Sequence, residues 1–214
     1  FSGIVLGSQS CFINNFREGA VSILALGKIS FYNAPMKNYF SKTGPMPLSG
    51  GDNVASLVLC QNGNVQSWGE TNDSGQLGNG STTGRAAPGQ VNNIPNAMAI
   101  SAGKSTSMAL LENGTVWMWG LNSDGIGFFG YLGANSSNHF ESNPQQVMLN
   151  PGTPLTCIVD IDMGGISSFA LTKDGNIWGW GDNSQGQLAN GTTANNPFPT
   201  QVMLNAVNQT PLTG

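Results

Sequence analysis

The 214-residue chain reads as an all-β protein, a β-propeller of four-stranded antiparallel blades with about four blades in this chain, and three observations carry that reading. A template recurs along the chain, each copy holds a hairpin signal, and the composition suits short strands joined by turns. In the template, a Ser is followed after seven residues by a turn Gly and after five more by Trp-Gly: Ser56, Gly63 and Trp68; Ser107, Gly114 and Trp119; Ser168, Gly175 and Trp180. The turn glycines stand 51 and 61 residues apart, a spacing typical of propeller blades of about four short strands. Only 18 residues are charged, against 30 glycines and 25 asparagines, which excludes coiled coils and helix bundles because their surfaces need Glu, Lys and Arg.

Each copy begins with a hairpin. Asn62-Gly63, Asn113-Gly114 and Asp174-Gly175 suit a tight two-residue turn with positive φ, flanked by apolar runs such as Met108–Leu111 and Thr115–Trp119. All five tryptophans (68, 117, 119, 178 and 180) fall at two template positions, and residues two apart share a strand face, so packing between sheets is expected of them. After Trp-Gly comes a polar loop closed by Gly75-Gln76-Leu77-Gly78, Gly130-Tyr131-Leu132-Gly133 or Gly186-Gln187-Leu188-Ala189. A Pro-x-x-Val element follows (Pro88 to Val91, Pro144 to Val147, Pro199 to Val202), then a strand ending in a small-Gly step such as Ala102-Gly103. An eroded copy precedes these, with Leu26-Gly27 where Trp-Gly belongs and no Gly-Gln-Leu-Gly loop. The expected division is a single propeller domain or fragment over 1–214, with repeats at 1–45 (degenerate), 46–96, 97–155 and 156–214.

The pattern Trp-Gly-x-Asn-x-x-Gly-Gln-Leu-Gly, with Pro-x-x-Val and Ala-Gly before a Ser-x-Ala-Leu hairpin, resembles the regulator of chromosome condensation repeat. Trp180 to Leu188 comes nearest to that signature. The resemblance covers residues 46–205 well and 1–45 weakly. It implies a β-propeller, most often of seven blades, in a family that includes exchange factors, ubiquitin-ligase subunits, a secreted inhibitor and bacterial surface proteins; a bacterial-type secreted member is the expectation. The His that often precedes the hairpin Ser in the family is replaced by Ala55, Thr106 and Ser167. Four units imply either a fragment or closure, in which Pro199–Val207 would serve as a spare leading strand for the first copy.

Charge and residue inventory narrow the function. A net charge of −4 with seven cations offers no footprint for nucleic acid, and no apolar run approaches the ~20 residues of a membrane helix. Cys11, Cys60 and Cys157 suit buried free thiols better than a disulfide framework or a zinc site. His139 stands alone in a polar loop; Asp160 and Asp162 share a strand face and are weak candidates for a metal site, more simply read as solvated blade-edge positions. No catalytic set, metal or cofactor is expected, so the chain is read as a non-enzyme. Six Asn-x-Ser/Thr sequons occur, at Asn72, Asn79, Asn113, Asn135, Asn190 and Asn208.

One loop departs from its siblings. Ten residues separate Trp119 from Gly130, against six and five in the other copies, and the insertion carries Ile126, Phe128, Phe129 and, just beyond, Tyr131. Apolar residues in a surface loop suggest either a contact site with aromatic anchors or a loop folded over its own side chains. A longer stretch, Met148–Leu155, falls in the same copy and favours specialisation of that blade. The expected function is a non-catalytic extracellular or cell-surface module that binds protein or polysaccharide through propeller loops, or that self-associates through open blade edges into a structural assembly. The alternatives are a guanine-nucleotide exchange factor for a small GTPase and a secreted enzyme inhibitor.

Overall fold

The computed structural model describes residues 49–50, 55–60, 62–128, 130–205 and 210–211. The eroded copy over 1–45, Cys11, Phe129 and the Asn208 sequon lie outside the described residues. Three four-stranded antiparallel sheets follow one another along the chain, each with its strands in sequence order. Blade one holds β1 (Ser49–Gly50), β2 (Ser56–Leu59), β3 (Val65–Gly69) and β4 (Arg85–Gln90). Blade two holds β5 (Ala97–Ala102), β6 (Thr106–Leu111), β7 (Val116–Leu121) and β8 (Phe140–Gln146), followed by a small hairpin of β9 (Met148–Asn150) and β10 (Thr153–Pro154). Blade three holds β11 (Ile158–Gly164), β12 (Ser167–Thr172), β13 (Ile177–Gly181) and β14 (Asn196–Gln201), followed by β15 (Met203–Asn205) and β16 (Thr210–Pro211).

The hairpin turns differ from the expected two-residue type. Leu111 N–H donates to Thr115 O and Gly114 N–H to Leu111 O, so three residues, Glu112-Asn113-Gly114, form the loop. Blade three repeats this with Thr172 and Asn176 around Lys173-Asp174-Gly175. Only the glycine takes positive φ (76° at Gly114, 84° at Gly175), as a type I turn with a glycine bulge requires. The turn also joins blades. Gly63 O accepts from Ala97 N–H and Gly114 O from Ile158 N–H, so each hairpin tip caps the first strand of the next blade. A Cβ at Gly63 would stand 2.7 Å from Asn96 Cα, so close approach as well as φ selects glycine there.

Two apolar cores lie between successive blades. The first joins Leu57, Leu59 and Val65 of blade one to Ile100, Ala109, Leu111 and Trp119 of blade two. The second joins Met108, Leu110, Val116 and Met118 of blade two to Ile158, Ile161, Ala170 and Trp180 of blade three. Trp119 and Trp180 are fully buried, whereas Trp68, Trp117 and Trp178 are half-buried. The indole N–H of Trp119 donates to Gln76 O of the preceding blade (2.9 Å), and that carbonyl also accepts from Ser107 Oγ (2.9 Å). This explains the fourth residue of the loop signature: a Cβ on Gly78 would lie 2.7 Å from Trp119 Nε1, and one on Gly133 would lie 2.8 Å from Trp180 Nε1. The glycine is a notch for the next blade's tryptophan.

Two expectations about the C-terminal part need correction. Pro199–Val207 is not a spare strand, because Asn196–Gln201 completes blade three and Met203–Asn205 pairs with Thr210–Pro211. The stretch from Met148 is not a speciality of blade two either. Its β9–β10 hairpin has a counterpart in β15–β16, and the text Met-Leu-Asn…Thr-Pro-Leu-Thr occurs at both 148–156 and 203–213. The cysteines are not three free thiols: Cys60 is disulfide-bonded and buried, and Cys157 is free and exposed at a positive φ of 62°.

Candidate functional site

The loop between β7 and β8 is built on a buried asparagine. Asn122 sends its amide N–H groups to Ser136 O (3.1 Å) and Asn138 O (2.9 Å), and its Oδ1 accepts from Leu132 N–H (3.2 Å). Asn72 does the same for Ser81 O, Thr83 O and Leu77 N–H, and Asn183 for Thr192 O, Ala194 O and Leu188 N–H. A side chain carrying two donors and an acceptor satisfies three backbone groups of a loop that has no ladder of its own. This brace holds the two ends of each loop together. The Asn of the Trp-Gly-x-Asn pattern was visible in the sequence, but its role as an internal brace was not.

What stands outside the brace differs. In blade two, Asp124 Oδ1 accepts from the backbone N–H groups of Ile126 (2.9 Å), Gly127 (3.0 Å) and Phe128 (3.0 Å). These bonds stabilise the carboxylate and hold its pKa below the ordinary value. The carboxylate thus closes a tight turn whose tip is Ile126, 91% exposed and the most exposed large hydrophobic among the described residues. Nothing lies within 4 Å of the Cβ positions of Gly125 and Gly127, so the tip projects into open space.

The remaining apolar residues point elsewhere. Phe128 is half-buried and lies against Tyr131, with ring centroids 5.2 Å apart and planes tilted by 49°. Tyr131 is only 4% exposed. Burial, with Asp124 and then Asp182 nearby, raises its pKa, so the phenol is neutral. Below it the loop abuts blade three, where a Cβ on Gly130 would meet Pro197 Cβ at 2.4 Å. Tyr131 therefore supports the loop from beneath, Phe128 covers it, and Ile126 is presented. At the loop's other end, His139 is exposed with Nδ1 2.8 Å from Ser123 Oγ, and Asn122 N–H donates to His139 O (2.8 Å).

The weaker candidates sit apart from this loop. Asp160 and Asp162 are exposed on β11, and each accepts a hydrogen bond from the following residue's N–H (3.0 and 2.8 Å). Among the described residues no group of three or more His, Cys, Asp or Glu side chains could hold a metal. The Asn72 sequon is closed to modification, because its amide is buried and bonded within the brace. Asn113 and Asn135 are exposed.

Comparison with known proteins places this architecture. One model of the regulator of chromosome condensation (RCC1) repeat matches residues 62–110 and 174–211, and a second model of the same repeat matches 99–126 and 158–187. Together the two cover more than half of the chain. Human E3 ubiquitin-protein ligase HERC2 is 35% identical over 155 residues, which is 72% of this chain but 3% of that protein. Mouse X-linked retinitis pigmentosa GTPase regulator is 30% identical over 184 residues, 85% of this chain and 17% of its own length. Among solved structures, human WBSCR16 aligns with a TM-score of 0.58 at 22% identity, over 73% of this chain and 39% of that one. Yeast RCC1 (Prp20), solved bound to Kap60, aligns with a TM-score of 0.55 at 20% identity, over 74% of this chain and 37% of that one. The stacked four-stranded sheets are β-propeller blades, and the chain belongs to the regulator of chromosome condensation repeat family.

Proposed function

We propose that this chain is a non-catalytic, protein-binding propeller segment that engages its partner through the β7–β8 loop, with Ile126 as the anchor. The single observation that carries the reading is an almost fully exposed Ile at the tip of a turn that Asp124 holds rigid. A preorganised loop loses little conformational entropy on binding, and a lone aliphatic tip of this kind fits an apolar pocket. An apolar tip without a row of polar groups suits a protein better than a polysaccharide. Protein partners also agree with the relatives, since yeast RCC1 was solved bound to Kap60. The Cys60 disulfide agrees with an oxidising compartment, as expected of a secreted or surface-exposed module.

The test places a photo-crosslinking amino acid at position 126 and maps adducts formed in the native setting. One protein adduct, abolished when the same label is carried at exposed Asn113 instead, supports the reading. Equal labelling from both positions overturns it.

The second reading is regulation of a small GTPase, favoured by the mouse GTPase regulator that matches 85% of the chain. Accelerated release of a fluorescent GDP analogue from a small GTPase, lost on Ile126→Asp, would establish it. Release at the spontaneous rate across a GTPase panel removes it.

A further inference from the structure

Blade three turns towards blade two a face like the one blade two turns towards blade one, but its opposite face departs from the pattern row by row. Cross-strand partners lie on the same side of a sheet. In blade two the rows on the side facing blade three are Ala99–Leu110–Val116 and Ser101–Met108–Met118. All but Ala99 of these six side chains are buried in that interface, and Ala99 packs against it. The same rows in blade three read Asp160–Leu171–Ile177 and Asp162–Phe169–Gly179. Here Leu171, Ile177 and Phe169 are half-buried, and both carboxylates are exposed.

Two more features mark this face. The position that is a glycine notch in blades one and two is Ala189, with φ of 46°, so a tryptophan indole cannot seat there as Trp119 and Trp180 seat against Gly78 and Gly133. Yet the arm for a neighbour is kept. The β9–β10 hairpin of blade two packs against β14, the last strand of blade three, and β15–β16 reproduces that hairpin after blade three. The face is therefore formed to receive another unit, but one without the tryptophan and with positive charge to match two carboxylates. Leaving those carboxylates unpaired under a neighbour would be costly.

The chain itself supplies such a unit. Residues 1–48 carry Arg17, Lys28, Lys37 and Lys42 against Glu18 alone, whereas residues 49–214 carry three cations against ten carboxylates. Of those three, Arg85 is occupied with Ser67 and Gly89. Leu26-Gly27 stands where Trp-Gly belongs, the smaller residue that Ala189 demands, and 48 residues is close to the 51-residue repeat spacing. One chain cannot bring the two together. Its three blades cover only 39% and 37% of the solved relatives' chains, so a ring of that curvature takes roughly seven or eight units.

We propose that this face of blade three is the interface with a second copy of the chain, which seats its basic residues 1–48 there, so that two copies join head to tail into a closed ring. Repetition of one heterologous contact closes a ring when the rotation allows it. Asp160 and Asp162 pair with lysines of the partner copy, and Leu26 lies over Ala189.

The test uses the full 214-residue chain, as a mixture of light and isotopically heavy copies. Sedimentation should give a dimer. Zero-length carbodiimide coupling should join Asp160 or Asp162 of one copy to Lys28, Lys37 or Lys42 of the other. Asp160→Lys with Asp162→Lys changes exposed side chains and should leave the circular dichroism spectrum intact while weakening the dimer at least about tenfold. Adding a Lys28→Glu, Lys37→Glu, Lys42→Glu partner should restore pairing as a heterodimer. Leu26→Trp should also weaken association, and Ala189→Gly should recover it. A monomeric wild-type chain, couplings confined within one copy, or a dimer indifferent to reversal at 160 and 162 would overturn the proposal.

Discussion

The loops that follow β3 and β7 begin alike and end differently. Asn72 and Asn122 each use one side chain to hold two carbonyls and one N–H, and Leu77 and Leu132 enter the core at the same point beyond them. Past the brace, the first loop stays polar and close to its blade. The second extends through Asp124 to an exposed Ile126. Structural requirements are met inside the brace, so the segment outside it is free to vary in length and chemistry. Variation there changes what the blade shows to solvent without changing how the blade folds.

That comparison is broken most directly at the asparagines. Asn72→Ala and Asn122→Ala each strip partners from buried backbone groups, and each should cost about 3 kcal/mol in urea unfolding. Equal losses would confirm that both loops rest on the same device; a much smaller loss at Asn122 would mean the longer loop is held by something else. Next in size is Gly78→Ala, which should cost about 2 kcal/mol, because its Cβ meets Trp119 Nε1 at 2.7 Å and φ there is 62°.

Asp124→Ala should leave global unfolding unchanged but speed hydrogen exchange at the amides of Ile126, Gly127 and Phe128 by about tenfold, with no change at Asn72. Acid should reproduce this effect. The folded-state pKa of Asp124 lies below that of the unfolded chain, so the clamp is fully present above the ordinary carboxylate range and is lost as pH falls through the lowered value. Exchange rising on the alkaline side instead would sink the assignment. The smallest effect on stability, within about 0.5 kcal/mol, is expected for Ile126→Asp, whose signature is loss of partner binding alone.

The blades were legible in the sequence because their signals are local. Turn glycines, alternating strands and Trp-Gly steps all fall within a few residues of one another. The three-residue hairpin was misread because Asn-Gly serves two-residue and bulged turns alike, and only the pairing of Leu111 with Thr115 separates them. The second hairpin escaped notice although its text is written twice. Two residues separate Met148–Asn150 from Thr153, but four separate Met203–Asn205 from Thr210, and that offset hides the repeat. In the loop, apolar composition marked four residues as one group. Their separate orientations depend on contacts with Pro197 and Asp182, some sixty residues away, which no local pattern contains.

The hydrogen bonds from Gly63 O to Ala97 N–H and from Gly114 O to Ile158 N–H carry one more implication. They tie the tip of one hairpin to the opening strand of the next, so mechanical load passes along the chain through a series of identical stitches. Under force the blades should release one after another from a free end, each rupture exposing the next stitch, as in a row of buttons rather than a single clasp.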